Sequence, residues 1–102
     1  MNKVILIGRL CQKPERREIN DKTLIKFTLA VNRRFDHETA DFIACQAWGT
    51  TAVFIEKYFD KGDSIAIMGE IRTSNYEKDG KKRTSTDVLI DEAYFTGSSL
   101  KR

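Results

Sequence analysis

From residue 24 to residue 32 the chain alternates between two phases, Ile25, Phe27, Leu29 and Val31 in one and Lys26, Thr28, Ala30 and Asn32 in the other. A period of two is that of a strand with one buried face. Residues 3–10 form a shorter run rich in Val and Ile, with Gly8 inside it, and read as a first strand carrying a bend or bulge. Residues 41–49 alternate again, with Ile43, Cys45 and Ala47 suited to a core and Phe42, Ala44, Gln46 and Trp48 on the opposite face. Residues 50–61 predict the one helix, with Thr50 or Thr51 as N-cap, Ala52, Ile55 and Phe59 along one stripe, and Gly62 as the stop. A fourth strand spans residues 64–76, with Ile65, Ile67 and Ile71 in one phase and Met68, Glu70, Arg72, Ser74 and Tyr76 in the other. Asp79-Gly80 then marks a tight hairpin, because a type I′ turn needs positive φ at both central residues. The return strand covers residues 82–95, Val88 and Ile90 facing inward.

Five strands with one helix between the third and fourth is the order of an OB-fold barrel, whose second and third strands and flanking loops commonly bind oligonucleotides or oligosaccharides. The fold class is thus all-β, a five-stranded barrel with a long basic β-hairpin. A chain of 102 residues fits a single domain. It is expected to occupy residues 1–96, followed by a short tail over residues 97–102. No run approaches the about 20 apolar residues of a membrane span, and residues 1–10 lack the flanks of a signal peptide. A cytoplasmic location follows as the expectation.

The net charge of +3 is too mild to identify a partner, so the placement of the charges matters more. Basic residues cluster at Lys13, Arg16 and Arg17, at Arg33 and Arg34, and most densely at Lys78, Lys81, Lys82 and Arg83 around the hairpin. Aromatic residues are interleaved with them. Phe35 follows Arg33 and Arg34, Phe42 and Trp48 share one face of the third strand, and Tyr76 shares a face with Arg72 at the start of the hairpin. A positive groove with aromatic platforms holds single-stranded nucleic acid without reading its sequence, since every base offers a π-face. Each residue taken alone is also explained by solvation, by packing under a loop or by a subunit contact. Phe54, Tyr58 and Phe59 read as core or interface.

Catalytic and metal chemistry find little support. Cys11 and Cys45 have no partner at zinc-ligand spacing, and the single histidine, His37, sits in a polar loop sequence. Neither a metal nor any other cofactor is expected. A small OB-fold nuclease using Asp41, Glu70, Asp87, Asp91 or Glu92 is the enzymatic alternative. A module whose aromatic face contacts another protein is the second.

The stretches NKVILIGRL (residues 2–10), FTLAVNR (27–33), ADFI (40–43), AWG (47–49), YFDKG (58–62) and GEIRT (69–73) resemble bacterial single-stranded DNA-binding proteins. The likeness is collinear to about Phe95. It implies a homotetramer of OB-folds, without enzymatic activity, wrapped by single-stranded DNA in replication, recombination and repair. By position, Phe35, Phe42, Trp48 and Tyr76 match that family's base-stacking sites, and Arg33, Arg34 and Arg72 match positions on the DNA path. Lys78, Lys81, Lys82 and Arg83 rest on the hairpin's charge pattern alone. Members of the family commonly continue into a flexible linker with an acidic tip that recruits partner proteins. This sequence stops at Lys101-Arg102, so recruitment through such a tip is not expected of it.

Overall fold

A computed structural model describes residues 1–36 and 38–97. The elements are β1 (Val4–Leu10), β2 (Glu15–Ile19), β3 (Lys22–Asn32), β4 (Ala40–Trp48), α1 (Gly49–Tyr58), β5 (Ser64–Lys78) and β6 (Lys81–Phe95). All five predicted strands are present, and the helix falls between the predicted third and fourth of them, now β4 and β5. The expectations about His37 and about residues 98–102, including the C-terminal end, lie outside the described residues.

Five strands close a ring: β1 pairs with β5, β5 with β6, β6 with β4, β4 with β3, and β3 returns to β1. The β4–β6 contact is parallel, at Cys45↔Val88 and Gln46↔Leu89, and the other pairings are antiparallel. Alternate residues turn inward, so Ile25, Phe27 and Leu29 of β3, Cys45 and Ala47 of β4, Ile65 and Ile67 of β5, and Val88 and Ile90 of β6 fill one core. Ala52 and Ile55 of α1 plug one end of it. Phe59 stacks on Phe95 there, ring centroids 5.0 Å apart. Glycines stand where two backbones approach most closely. A Cβ on Gly8 would lie 2.4 Å from the Ala30 carbonyl oxygen, and one on Gly69 would lie 2.1 Å from that of Leu89.

The sequence reading missed β2. Its segment Glu15-Arg16-Arg17-Glu18-Ile19 is exposed throughout, pairs only with β3, and joins it through Asn20 and Asp21 at φ of 50° and 65°. Both faces meet water, so no hydrophobic alternation marks it.

The helix boundaries also differ from expectation. Trp48, in extended backbone, holds the N-cap position without a side-chain cap bond, its indole offering no acceptor, while Thr51 Oγ1 donates to the Asp91 carbonyl. The C-terminal end falls at Tyr58 rather than residue 61. Phe59 turns into the core, and the Asp60 N–H donates to the Asp63 carboxylate at 2.8 Å, which fixes the exit from the helix. Ile71 keeps its predicted phase, opposite buried Val88, yet is 44% exposed because the ring ends there.

Burial, helped by repulsion from Asp87, pushes the Cys45 thiol from its ordinary 9.0 up to about 12. The folded state therefore favours the neutral thiol. Its contribution to stability is complete below about pH 9 and is lost as pH rises from there through about 12. At pH 8 a disulfide reagent such as DTNB is expected to titrate half-buried Cys11 in the native protein and Cys45 only after denaturant is added. Two fast thiols in the native state would contradict this environment.

Candidate nucleic-acid interface

The outward phase of β4 carries Phe42, Ala44, Gln46 and Trp48, as the alternation predicted. Phe42 is 70% exposed and Trp48 37%. Six residues of strand separate these two rings by about 20 Å. Cross-strand pairing extends the face: Trp48 opposes Leu24, Gln46 opposes Lys26, Ala44 opposes Thr28 and Phe42 opposes Ala30. One strand further on, Arg17 opposes Leu24 and Glu15 opposes Lys26. Gln12, Glu15, Arg17, Lys26, Thr28, Ala44 and Asp87 line a shallow trough of about 320 Å³ across this face. Asp87 is held there by Gln46 Nε2, which donates to its Oδ2 at 2.9 Å. Lys26 and Arg17 were not among the predicted site residues. Lys26 was legible as the outward phase of its strand, whereas Arg17 depended on finding β2.

Phe35 and Arg34 belong to the loop between β3 and β4. Phe35 is 89% exposed, and the Arg34 guanidinium lies 5.1 Å from its ring centroid, a cation–π geometry. The loop is held by Asp36, whose carboxylate accepts bonds from the Thr39 hydroxyl at 2.7 Å and the Glu38 N–H at 3.1 Å. Phe35 is thus an uncovered ring on a structured loop.

The β5–β6 ribbon runs beyond the barrel, and Asp79 and Gly80 form its turn at φ of 54° and 76°. Tyr76 opposes Arg83, Glu77 opposes Lys82 and Lys78 opposes Lys81. Two lysines directly opposite one another repel, a cost that a bound anion relieves. Tyr76, Lys82 and Arg83 line a hollow of about 550 Å³ on this ribbon. At its base Ile71, Thr86 and Asp87 share an apolar hollow of about 370 Å³ with Phe42, which makes the ribbon continuous with the β4 face.

The predicted cations differ in how free they are. Arg33 donates from Nε and Nη2 to Asp41 Oδ1 at 3.2 and 2.9 Å, and Arg72 does the same to Glu70 Oε1 at 3.1 and 2.6 Å. Hydrogen bonding to Glu70 also raises the Arg72 pKa above its ordinary value. A phosphate approaching either arginine competes with a carboxylate already in place. Among the described residues, Lys26, Arg34, Lys78, Lys81, Lys82 and Arg83 form no ion pair. Four of these six lie on the ribbon, Lys26 lies beside β4 and Arg34 lies in the β3–β4 loop.

A closed ring of five strands with one helix between β4 and β5, its outward strand face studded with aromatic rings, is an OB-fold with the layout of a binding module. The family model described as "Single-strand binding protein family" matches residues 1–96, and the chain belongs to that family. It is 46% identical over 101 residues to the "Single-stranded DNA-binding protein" of Clostridium perfringens (strain 13 / Type A), covering 96% of this chain and 67% of that one. Against "Single-stranded DNA-binding protein 2" of Streptococcus agalactiae serotype V the identity is 43% over 106 residues, 99% of this chain and 81% of the relative. A similar protein of Fusobacterium nucleatum subsp. nucleatum, also named a single-stranded DNA-binding protein, is 42% identical over 102 residues, 93% of this chain and 66% of the relative.

Proposed function

We propose that this protein binds single-stranded DNA without sequence preference and protects it during replication, recombination and repair, by stacking bases on aromatic rings and neutralising phosphates. The observation that carries this reading is the exposed pair Phe42 and Trp48 on the outward face of β4, with Lys26 between them. Phe35 and Tyr76 supply further platforms. Arg34, Lys78, Lys81, Lys82 and Arg83 supply cations, and Arg33 and Arg72 join once released from Asp41 and Glu70. The protein acts in the cytoplasm as a binder rather than an enzyme. Of the carboxylates that a nuclease would need, Asp41, Glu70 and Asp87 are already engaged by Arg33, Arg72 and Gln46.

Titration with oligo(dT) tests the reading directly. Trp48 emission is expected to be strongly quenched, and affinity to fall with salt at a log–log slope of about −0.7 per phosphate neutralised. Replacing Lys81, Lys82 and Arg83 together makes that slope shallower. Unchanged Trp48 emission at saturating oligo(dT) overturns the base-stacking reading, and leaves a protein ligand as the occupant of the aromatic face.

The working unit on this reading is a homotetramer. β1 is paired from Val4 to Arg9 with β5 on one side but only at Arg9 and Leu10 with β3 on the other. Ile5 and Ile7 also project from it with most of their surface uncovered. An apolar strand with an open edge is a site for pairing with another copy. Light scattering at micromolar concentration is expected to return four times the chain mass, and a monomer mass would refute the tetramer.

A further inference from the structure

The β2–β3 hairpin has a feature that the core does not explain. Around its tip every residue of β2 but one is charged, and that one, Ile19, is left 40% exposed. The side chains near it are already engaged. Arg17 pairs with Glu15, Arg16 with Glu18 and Glu56, and Thr23 donates to Glu18. The side chains of Asn20 and Lys22, by contrast, make no hydrogen bond or ion pair among the described residues.

These free groups converge on one place. Register puts Ile19 opposite Lys22, and Lys22 in the same phase of β3 as Leu24, which opposes Trp48. Ile19, Lys22 and Trp48 therefore share the outward face. Together with Asn20 they line a pocket of about 340 Å³, within the about 300–1,000 Å³ of ordinary small-ligand clefts. Its lining is mainly apolar, with an amide and an ammonium at the margin. The two-residue turn, positive in φ at Asn20 and Asp21, is a rigid type I′ geometry that holds this wall in place.

We infer that the tip of the β2–β3 hairpin and Trp48 form a slot for one nucleotide. The base stacks on the indole with Ile19 beside it, the Asn20 amide meets the base edge, and Lys22 neutralises the adjoining phosphate. An isolated stacking platform leaves a base free to slide, whereas a slot with an apolar flank and a cation at its margin fixes one nucleotide. It also places one bound nucleotide at the hairpin, about 20 Å along β4 from Phe42. This inference rests on the base-stacking reading of Trp48 given above.

The test uses the full chain with oligo(dT), followed by Trp48 emission and by anisotropy of a labelled strand. In the double variant I19T/K22M, affinity at low salt is expected to fall about tenfold, because the base is deprived of its apolar flank and the phosphate of its cation. The salt slope becomes shallower by about 0.7. Lys22→Arg restores the slope, which a purely structural role for Lys22 does not require. Asn20→Asp keeps a residue suited to positive φ and sets a carboxylate beside the phosphate, so it weakens binding with the thermal midpoint unchanged. Should the double variant fold poorly, Lys22→Met alone is read for its slope. Normal Trp48 quenching in the wild type together with wild-type affinity and slope in the variants overturns the slot and leaves the stacking reading standing. Loss of quenching in the wild type itself is the separate failure of that reading.

Discussion

Replacing Phe42 with alanine is expected to weaken binding of single-stranded DNA by about 1–3 kcal/mol, or about 5- to 150-fold, while leaving the thermal midpoint nearly unchanged. Both halves of the expectation come from one number. At 70% exposed, the ring contributes little to the core, so its removal opens no sealed cavity and the fold has no reason to weaken. The same exposure leaves most of its π-surface available to a base. Trp48 makes an instructive contrast, because it is 37% exposed and opposes Leu24, which is buried to 3% on a face that otherwise meets water. Trp48→Ala should therefore lower affinity and stability together. Anisotropy titrations and thermal unfolding of the two variants separate the cases, and wild-type affinity in Phe42→Ala would remove Phe42 from the interface.

The largest expected loss of stability comes from the smallest side chain. Gly69→Ala places a methyl carbon 2.1 Å from the Leu89 carbonyl oxygen and 2.9 Å from its carbonyl carbon. Both are backbone atoms in a paired strand, so no rotamer change relieves the overlap. Register explains the crowding: Met68 pairs with Glu92 and Gly69 with Ile90, which leaves Asp91 as the extra residue of a bulge at this point. Overpacking of this kind costs about 1–3 kcal/mol or more. For a domain of this size each kcal/mol lowers the midpoint by about 4–8 °C. Gly97→Ala, with nothing within 4 Å of its Cβ, is the control and should melt with the wild type. Equal midpoints for the two variants would contradict the close approach of β5 and β6.

How far the sequence disclosed this structure depends on how many faces of each element meet water. β3 and β4 have one wet face and one dry one, and their alternation alone set the phase of Phe42 and Trp48. The Asp79-Gly80 turn was legible because few residue pairs tolerate two positive φ angles. Asn20-Asp21 adopts the same geometry, yet β2 before it has no dry face, so an apolar period follows the turn in β3 but none leads into it. A different period was available there. Arg17 bonds Glu15 and Arg16 bonds Glu18, each across two residues, the spacing at which strand neighbours share a face. The helix boundaries were misplaced because tertiary partners took over the groups that local capping rules assign. As for the interface, residue type and phase located the rings, but the engagement of Arg33 and Arg72 by carboxylates depends on side-chain geometry that composition does not carry.

The bulge at Asp91 has a mechanical meaning as well. Beyond Ile71 and Val88 the two strands of the ribbon touch no core, and from there to Lys78 they extend about 23 Å. An arm of that length turns a small rotation at its root into a large sweep at its tip, so a tilt of about 10° carries Lys78 and Lys81 through about 4 Å. The root lies two residue pairs beyond the interrupted ladder at Met68 and Gly69. The distance from Phe42 to Tyr76 is thus set by the angle of the arm at its root, whereas the distance from Phe42 to Trp48 is fixed within one strand of the ring.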